Sequence, residues 1–400
     1  MTIKPEVTAG AGGAFGGVSA RGRVPAFYAM EFMREAGALE AAGKDVIFLC
    51  VGQPSRGAPA QVTEAAQAAL REDMLGYTDA LGIRPLRERI ARHYLDSYGV
   101  HVAPERIAIT TGSSAGFLLA FLAAFDAGGR IAIARPGYPP YSAIQQALNL
   151  EAVHVDVGPD TDYHMTPDHL RALAAGPIGI DGVMVTSPAN PTGAMLSPEE
   201  LGAFIATAEG LGIRVISDEI YHGITFGKRA ETALRFSDEV IVINSFSKYF
   251  CMTGWRLGWM VLPQALVQPV EALAQSFYIS PPTLAQQAAI AAFDCRAELD
   301  EVVAGYARNR QLLLDALPRM GLDRFAPADG AFYLYVDVSR YTADSSAFCT
   351  RMLHEIHVAA TPGIDFDRKN GHGFIRLSFA GHEADIARAV ARMEPWLAAL

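Results

Sequence analysis

The run Ser245-Phe246-Ser247-Lys248 is followed, after five residues, by Gly254-Trp255-Arg256-Leu257-Gly258. It places an amine nucleophile, two hydroxyls and a guanidinium close together in sequence. An ordinary lysine, with a pKa of about 10.4, is protonated and a poor nucleophile at pH 7, whereas one held as a Schiff base to a carbonyl cofactor escapes that limit. Lys248 is therefore the candidate for an imine. Ser245, Ser247 and Arg256 suit a phosphate dianion, arginine through its planar fork of donors and each hydroxyl through a single hydrogen bond. An isolated lysine at a strand end is more often a snorkelling surface side chain; the neighbouring residue types reverse that reading here.

Two upstream motifs add groups of related purpose. In Asp218-Glu219-Ile220-Tyr221, the aspartate could keep a pyridine nitrogen protonated, making the ring an electron sink for a carbanion at a substrate Cα. Tyr221 could hydrogen-bond a phenolic oxygen on the same ring. Ala189-Asn190-Pro191-Thr192-Gly193 is the second motif. Each has an ordinary alternative: Asp218 as a helix N-cap with Tyr221 in the core, and Asn-Pro-Thr-Gly as a turn in which Pro fixes φ and Gly accepts φ > 0. Asn190 precedes Asp218 by 28 residues and Lys248 follows it by 30, as expected if successive β–α units each bring one residue to the same sheet edge. Pyridoxal 5′-phosphate is the cofactor that would need this set of groups.

The elements that must position them follow from periodicity. Glu239 to Asn244 is apolar and β-branched and reads as a buried strand ending at Ser245. Ile213 to Ile216 and Gly182 to Pro188 read as strands ahead of Asp218 and Asn190. From about Val46 to Leu262 such strands alternate with amphipathic stretches such as Ser197 to Gly210, which indicates an α/β fold with a mostly parallel sheet flanked by helices. A long helix is expected from about Thr283 to Leu317. It leads into a smaller α+β unit containing Phe332-Tyr333-Leu334-Tyr335-Val336 and the strand Phe374 to Ala380.

From about Val46 to the C-terminus the chain resembles the class I/II aminotransferases, fold-type I pyridoxal-phosphate enzymes of the aspartate aminotransferase-like superfamily. The resemblance assigns the Schiff base and the proton shuttle to Lys248, the pyridine-nitrogen contact to Asp218, the ring-oxygen contacts to Tyr221 and Asn190, and the phosphate to Ser245, Ser247 and Arg256. Gly112, Ser113 and Ser114, opening the apolar stretch Ala115 to Phe125, match the other half of the phosphate cup. A helix N-terminus attracts an anion through its free N–H groups, although a plain N-cap has the same look. Tyr138, in Arg135-Pro136-Gly137-Tyr138-Pro139-Pro140-Tyr141, matches the tyrosine that stacks on the pyridine; a core or turn tyrosine is the alternative.

Arg376 stands among apolar neighbours, where a buried guanidinium needs a carboxylate partner. The matched motif makes it the clamp for the substrate α-carboxylate, with a structural salt bridge as competitor. Gly52 matches a glycine whose backbone approaches that carboxylate. Tyr77, in Gly76-Tyr77-Thr78, matches a tyrosine that reaches the phosphate of a neighbouring subunit. A homodimer with shared sites is thus implied, unless Tyr77 is only a surface-loop residue. The resemblance also implies that residues 1–51, as an N-terminal arm, join 283–400 in a small domain, leaving 52–282 as the large cofactor domain.

With 400 residues, half of them hydrophobic, the chain can build an extensive core. A net charge of −10 argues against a dedicated nucleic-acid binder. Cys50, Cys251, Cys295 and Cys349 lie far apart without C-x-x-C spacing, which suggests small buried apolar roles rather than zinc or a disulfide framework. The histidines lack metal-ligand spacing, His354 and His357 sharing at most a solvated helix face, so no metal is expected. Thr8 to Arg23 is Gly/Ala-rich with little periodic pattern and no sustained apolar segment of a secretory signal. No apolar run is long enough for a membrane helix, and a cytoplasmic location is the default.

The expected reaction is ping-pong transamination between an L-amino acid and a 2-oxo acid. A carbon–sulfur β-lyase or another elimination enzyme would keep the same cofactor site. A transcription regulator with an aminotransferase-like module is disfavoured, since no DNA-binding domain precedes Val46. For the substrate side chain, Phe121 and Leu122 are expected to face the pocket, and the lack of a cation there points toward neutral or aromatic donors. Phe27, Tyr28 and Phe32 are expected either as an apolar lid or as buried packing.

Overall fold

A computed structural model describes residues 17–25, 28–72 and 74–400. Phe27 and the first half of the Gly/Ala-rich stretch, 8–16, lie outside the described residues. The short strand β1 (Ile47–Phe48) comes first in the chain. Seven strands then build the main sheet: β2 (Ile107–Thr110), β3 (Arg130–Arg135), β4 (Glu151–Asp156), β5 (Gly182–Thr186), β6 (Arg214–Asp218), β7 (Ile241–Ser245) and β8 (Gly258–Val261). Their spatial order is β2-β8-β7-β6-β5-β3-β4.

Pairings from β4 across to β7 are parallel, while β8 pairs antiparallel with both β7 and β2. Six strands therefore run one way and β8 alone runs back. The carboxyl ends of β2, β3, β5, β6 and β7 share one edge, and the amino end of β8 lies at that same edge. Helices cover both faces, so the central strands are buried on each side and read as continuous apolar runs. One flanking helix, Pro198–Gly210, starts with a capping box: Glu200 N donates to Ser197 Oγ at 3.2 Å and Ser197 N donates to Glu200 Oε2 at 2.8 Å.

The remaining strands are β9 (Tyr333–Asp337), β10 (Val358–Ala359), β11 (Thr361–Pro362) and β12 (Phe374–Ser378). Three of them, β11, β12 and β9, form an antiparallel sheet in that order, in which Arg376 lies opposite Tyr335 and Ser378 opposite Tyr333. Early and late parts of the chain also meet: β1 pairs in parallel with β10, and Ser378 N donates to Leu49 O at 2.7 Å.

The expected single helix over Thr283 to Leu317 is two helices, Thr283–Ala292 and Arg296–Ala316. The break turns Phe293 into an aromatic cluster with Phe246, Phe250 and Trp259, with ring centroids 4.9–6.3 Å apart. Among the described residues no helix is long and apolar enough to cross a membrane.

Phe246 sits between Ser245 and Ser247 and is fully buried in this cluster, so its packing holds the loop that carries Lys248. Phe246→Ala is expected to destabilise the protein by about 3–5 kcal/mol, read as a lower urea midpoint; a loss below about 1 kcal/mol would show that the cluster does not brace this loop.

Candidate active site

Lys248 lies three residues beyond β7. Its Nζ donates to the carbonyl oxygen of Gly52 at 2.6 Å and stands 5.7 Å from the Tyr221 ring and 5.9 Å from the Phe332 ring. No carboxylate lies within salt-bridge distance of it among the described residues. Burial, reinforced by the Arg376 charge, pulls its pKa down to about 8. Although the side chain keeps some solvent exposure, the amine is surrounded by ring faces and a carbonyl. That is the environment of a lysine able to lose its proton near neutral pH.

Asp218 ends β6 and is buried. Its Oδ2 accepts from the Tyr141 hydroxyl and its Oδ1 from Ile220 N at 3.0 Å. One oxygen thus serves the local turn, with no helix there for Asp218 to cap, while the other points to a different element. Burial pushes this carboxyl up to about 6, against the two hydrogen bonds that favour its ionised form. A cation placed against it would restore the carboxylate, which suits a protonated pyridine nitrogen.

At the end of β2, Gly112 caps the helix Ser113–Ala124 with φ 82°, and no side chain caps this helix. The first N–H groups are left for another acceptor. A Cβ on Gly112 would stand 2.5 Å from Arg256 Nη2 and 3.0 Å from its Cζ, so the positive φ favours glycine and any side chain there would displace the guanidinium. Arg256 reaches this place from a left-handed backbone conformation, φ 52°, just before β8, and Nη1 donates to Thr253 O at 3.1 Å. Among the described residues no carboxylate neutralises it. Ser245 Oγ braces the loop by accepting from Ser247 N at 3.0 Å and donating to Leu257 O at 3.3 Å. Ser247 is buried, Ser113 is half-buried and Ser114 is exposed. The helix terminus, the Lys248 loop and Arg256 form an anion cradle, and these residue types fit a phosphate.

Arg376 is buried in β12. Nη1 donates to Asn190 Oδ1 at 2.9 Å, and Nη2 donates to Cys50 O at 3.0 Å and to Thr361 Oγ1 at 3.3 Å. Its Nε has no partner. The guanidinium lies 4.2 Å from the Tyr333 ring centroid and 4.7 Å from that of Phe366. Every acceptor is neutral, so the structural salt bridge that competed with the clamp reading is absent among the described residues. The other buried arginine, Arg87, faces Asp79 at 3.7 Å.

Tyr221 Oη and Tyr333 Oη are 2.8 Å apart. Tyr138 follows β3, with its ring 5.3 Å from that of Tyr141. Gly52 meets Lys248 through its carbonyl, and a Cβ there would lie 2.6 Å from Tyr333 Oη. The close approach that demands glycine is thus to a phenol of the protein itself.

The remaining sequence candidates divide into surface, core and misplaced residues. Tyr77 is 83% exposed within one chain. Phe121 is fully buried in the apolar layer with Met184 and Ile216, and Leu122 lies at the surface, which corrects their placement at a substrate pocket. The helix carrying them is apolar on all sides and offers no sequence cue to the face it buries. Phe32 packs in the core and Tyr28 N is held by Asp365 Oδ1 at 3.1 Å. All four cysteines are buried and unpaired, and no metal-binding group of His, Cys, Asp and Glu occurs among the described residues. Tyr141 and Tyr333 were not singled out from sequence. Tyr141 closes the motif that holds Tyr138, whereas Tyr333 reads as an ordinary aromatic strand residue.

A family model for aminotransferase class I and II matches residues 44–393. The valine–pyruvate aminotransferase of Mycobacterium tuberculosis is 48% identical over 384 residues, spanning 95% of this chain and 98% of that protein. The (5-formylfuran-3-yl)methyl phosphate transaminase of Methanocaldococcus jannaschii is 31% identical over 376 residues, spanning 93% and 96%. Among solved structures, an aminotransferase from Mycobacterium tuberculosis superposes with a TM-score of 0.93 at 48% identity, covering 96% of this chain and 99% of that one. Aspartate aminotransferase from Thermus thermophilus with maleate gives 0.89 at 29% identity, covering 95% and 99%. Together with the architecture and the residues gathered at one sheet edge, these likenesses establish that the chain belongs to the class I and II aminotransferases, a family of pyridoxal-phosphate-dependent enzymes.

Proposed function

We propose that this aminotransferase moves the amino group between a neutral L-amino acid, of which valine is the model, and a 2-oxo acid such as pyruvate, on pyridoxal 5′-phosphate held at Lys248. The observation that carries this reading is a pair of cations, Lys248 and Arg376, facing aromatic and carbonyl surroundings without a protein carboxylate within salt-bridge distance. The cofactor, when bound, supplies a carbonyl for imine exchange and an electron sink for the pair released at the substrate Cα.

Lys248 would hold the cofactor and, once freed, would carry the proton between the substrate Cα and the cofactor carbon that takes the nitrogen, in one direction in the first half of the cycle and in the other in the second; its lowered pKa suits both duties. Asp218, steadied by Tyr141, would keep a proton on the ring nitrogen. Tyr221 and Asn190 would contact the ring oxygen, and Tyr138 would stack on the ring. Gly112, Ser113, Ser114, Ser247 and Arg256 would bind the phosphate, as would Ser245 on turning its hydroxyl from Leu257 O. Arg376 binds the α-carboxylate, with Asn190 fixing one arm of its fork. Gly52 contributes the carbonyl beside the Lys248 amine and the side-chain-free backbone along the carboxylate. A side-chain carboxylate finds no second buried guanidinium free to receive it among the described residues, which supports neutral donors. The valine–pyruvate relative points the same way.

The proposal includes a cytoplasmic homodimer and the division into 1–51 plus 283–400 and 52–282. The segment 76–78 is tied to 280–283 by Thr283 Oγ1 to Gly76 O at 2.6 Å and Thr78 N to Ser280 Oγ at 3.3 Å, and the exposed Met74, Tyr77, Phe277 and Ile279 on and beside these two segments are side chains a second copy would cover. From there Tyr77 would reach the partner's phosphate.

Lys248→Ala is expected to abolish the visible cofactor band and lower kcat at least roughly a thousandfold; turnover near the wild-type value would rule out the assignment. Because the amine must be neutral to attack, the rate at which apoenzyme takes up pyridoxal phosphate should rise about tenfold per pH unit below pH 8 and level off above it. A rate independent of pH from about 6 to 8 would contradict the lowered pKa. In single half-reactions valine should release a stoichiometric oxo acid at least about tenfold faster than aspartate. Ammonia release with regeneration of the starting absorption would indicate elimination instead.

A further inference from the structure

Tyr333 is buried at the start of β9 and makes three contacts within the site. Its hydroxyl is 2.8 Å from the Tyr221 hydroxyl. Its ring face carries the Arg376 guanidinium at 4.2 Å. Its hydroxyl also occupies the place where a side chain on Gly52 would begin, 2.6 Å from the ideal Cβ position. Sheet register explains the second contact: Ser378 is opposite Tyr333, so Arg376 is its diagonal neighbour on the same face.

We propose that Tyr333 is a positioning residue that links the carboxylate clamp to the cofactor's ring oxygen, its ring holding Arg376 and its hydroxyl donating to Tyr221. The inference rests on the roles given above to Tyr221 and Arg376. A phenol has one proton to donate. If Tyr221 spends its proton on the ring oxygen, it must act as acceptor toward Tyr333, and the bonds run in one direction, Tyr333 to Tyr221 to cofactor. Such a chain polarises each member and strengthens the last bond. The guanidinium over the Tyr333 ring makes its hydroxyl a better donor, and a substrate carboxylate on Arg376 offsets that charge. Substrate binding is thereby felt at the cofactor through one side chain. Arg376, Lys248 and Tyr138 are the titratable groups facing the two phenols.

The two contacts separate by mutation. Tyr333→Phe keeps the ring under Arg376 and removes only the donor. In holoenzyme it should raise the pH midpoint of the visible cofactor band by about 0.5–1 unit, the size expected for one lost phenol hydrogen bond. It should lower kcat several-fold and leave KM for the amino acid within about twofold. Tyr333→Leu should in addition raise that KM about tenfold by releasing the guanidinium. In a Tyr221→Phe background, Tyr333→Phe should give no further midpoint shift, since the path to the cofactor is already cut. A Tyr333→Phe midpoint equal to wild type, or a shift of the same size in the Tyr221→Phe background, would overturn the proposal. Wild-type protein lacking a visible band with pyridoxal phosphate would instead defeat the underlying functional reading, so the two failures are distinguishable.

Discussion

Positive charge held out of water without a carboxylate partner is the constraint around which this site is organised. Removing an ion from water costs several kcal/mol even after relaxation. Lys248 can answer by giving up its proton, and its pKa falls accordingly. Arg376 cannot, because a guanidinium does not deprotonate in proteins. It is held by Asn190, Thr361 and the Cys50 carbonyl, between the rings of Tyr333 and Phe366, with Nε still unsatisfied. The arrangement is incomplete as protein alone and becomes complete with an anion, which is what a carboxylate-binding site should look like.

Sheet topology turns this local demand into a shared location. Because β2, β3, β5, β6 and β7 run the same way, Gly112, Tyr138, Asn190, Asp218 and Lys248 are delivered to one edge without any long loop to gather them. The reversed β8 returns Arg256 to that edge from the other chain direction, so close that a side chain on Gly112 would displace its guanidinium. The second sheet then supplies what the first lacks, a charged strand residue backed by aromatic neighbours.

Much of this was legible in the sequence, for reasons that differ from residue to residue. Lys248, Asp218 and Asn190 each follow a β-branched apolar run, so type, spacing and strand end could be read together. Pairings that cross the sheet were not legible. The Tyr141 bond to Asp218 depends on elements 77 positions apart meeting, and the phenol pair of Tyr221 and Tyr333 on residues 112 apart. Asp294 and Cys295 are weak helix formers but no Pro or Gly marks the break, which coincides with the burial of Phe293 in its aromatic cluster. Phe121 misled because a helix that is apolar all round hides which side faces the core.

The pairing of β1 with β10 also bears on the order in which the molecule comes into being. During synthesis, the strands from Ile107 to Val261 leave the ribosome before β12 and can bring the phosphate cradle together from local β–α units. Gly52 and Cys50 emerge earlier still, but the guanidinium that Cys50 accepts from lies 326 residues downstream. The nascent chain can therefore assemble the anion cradle of the main sheet while the buried guanidinium that meets Cys50 does not yet exist, and that cation is the last part of the candidate site to arrive.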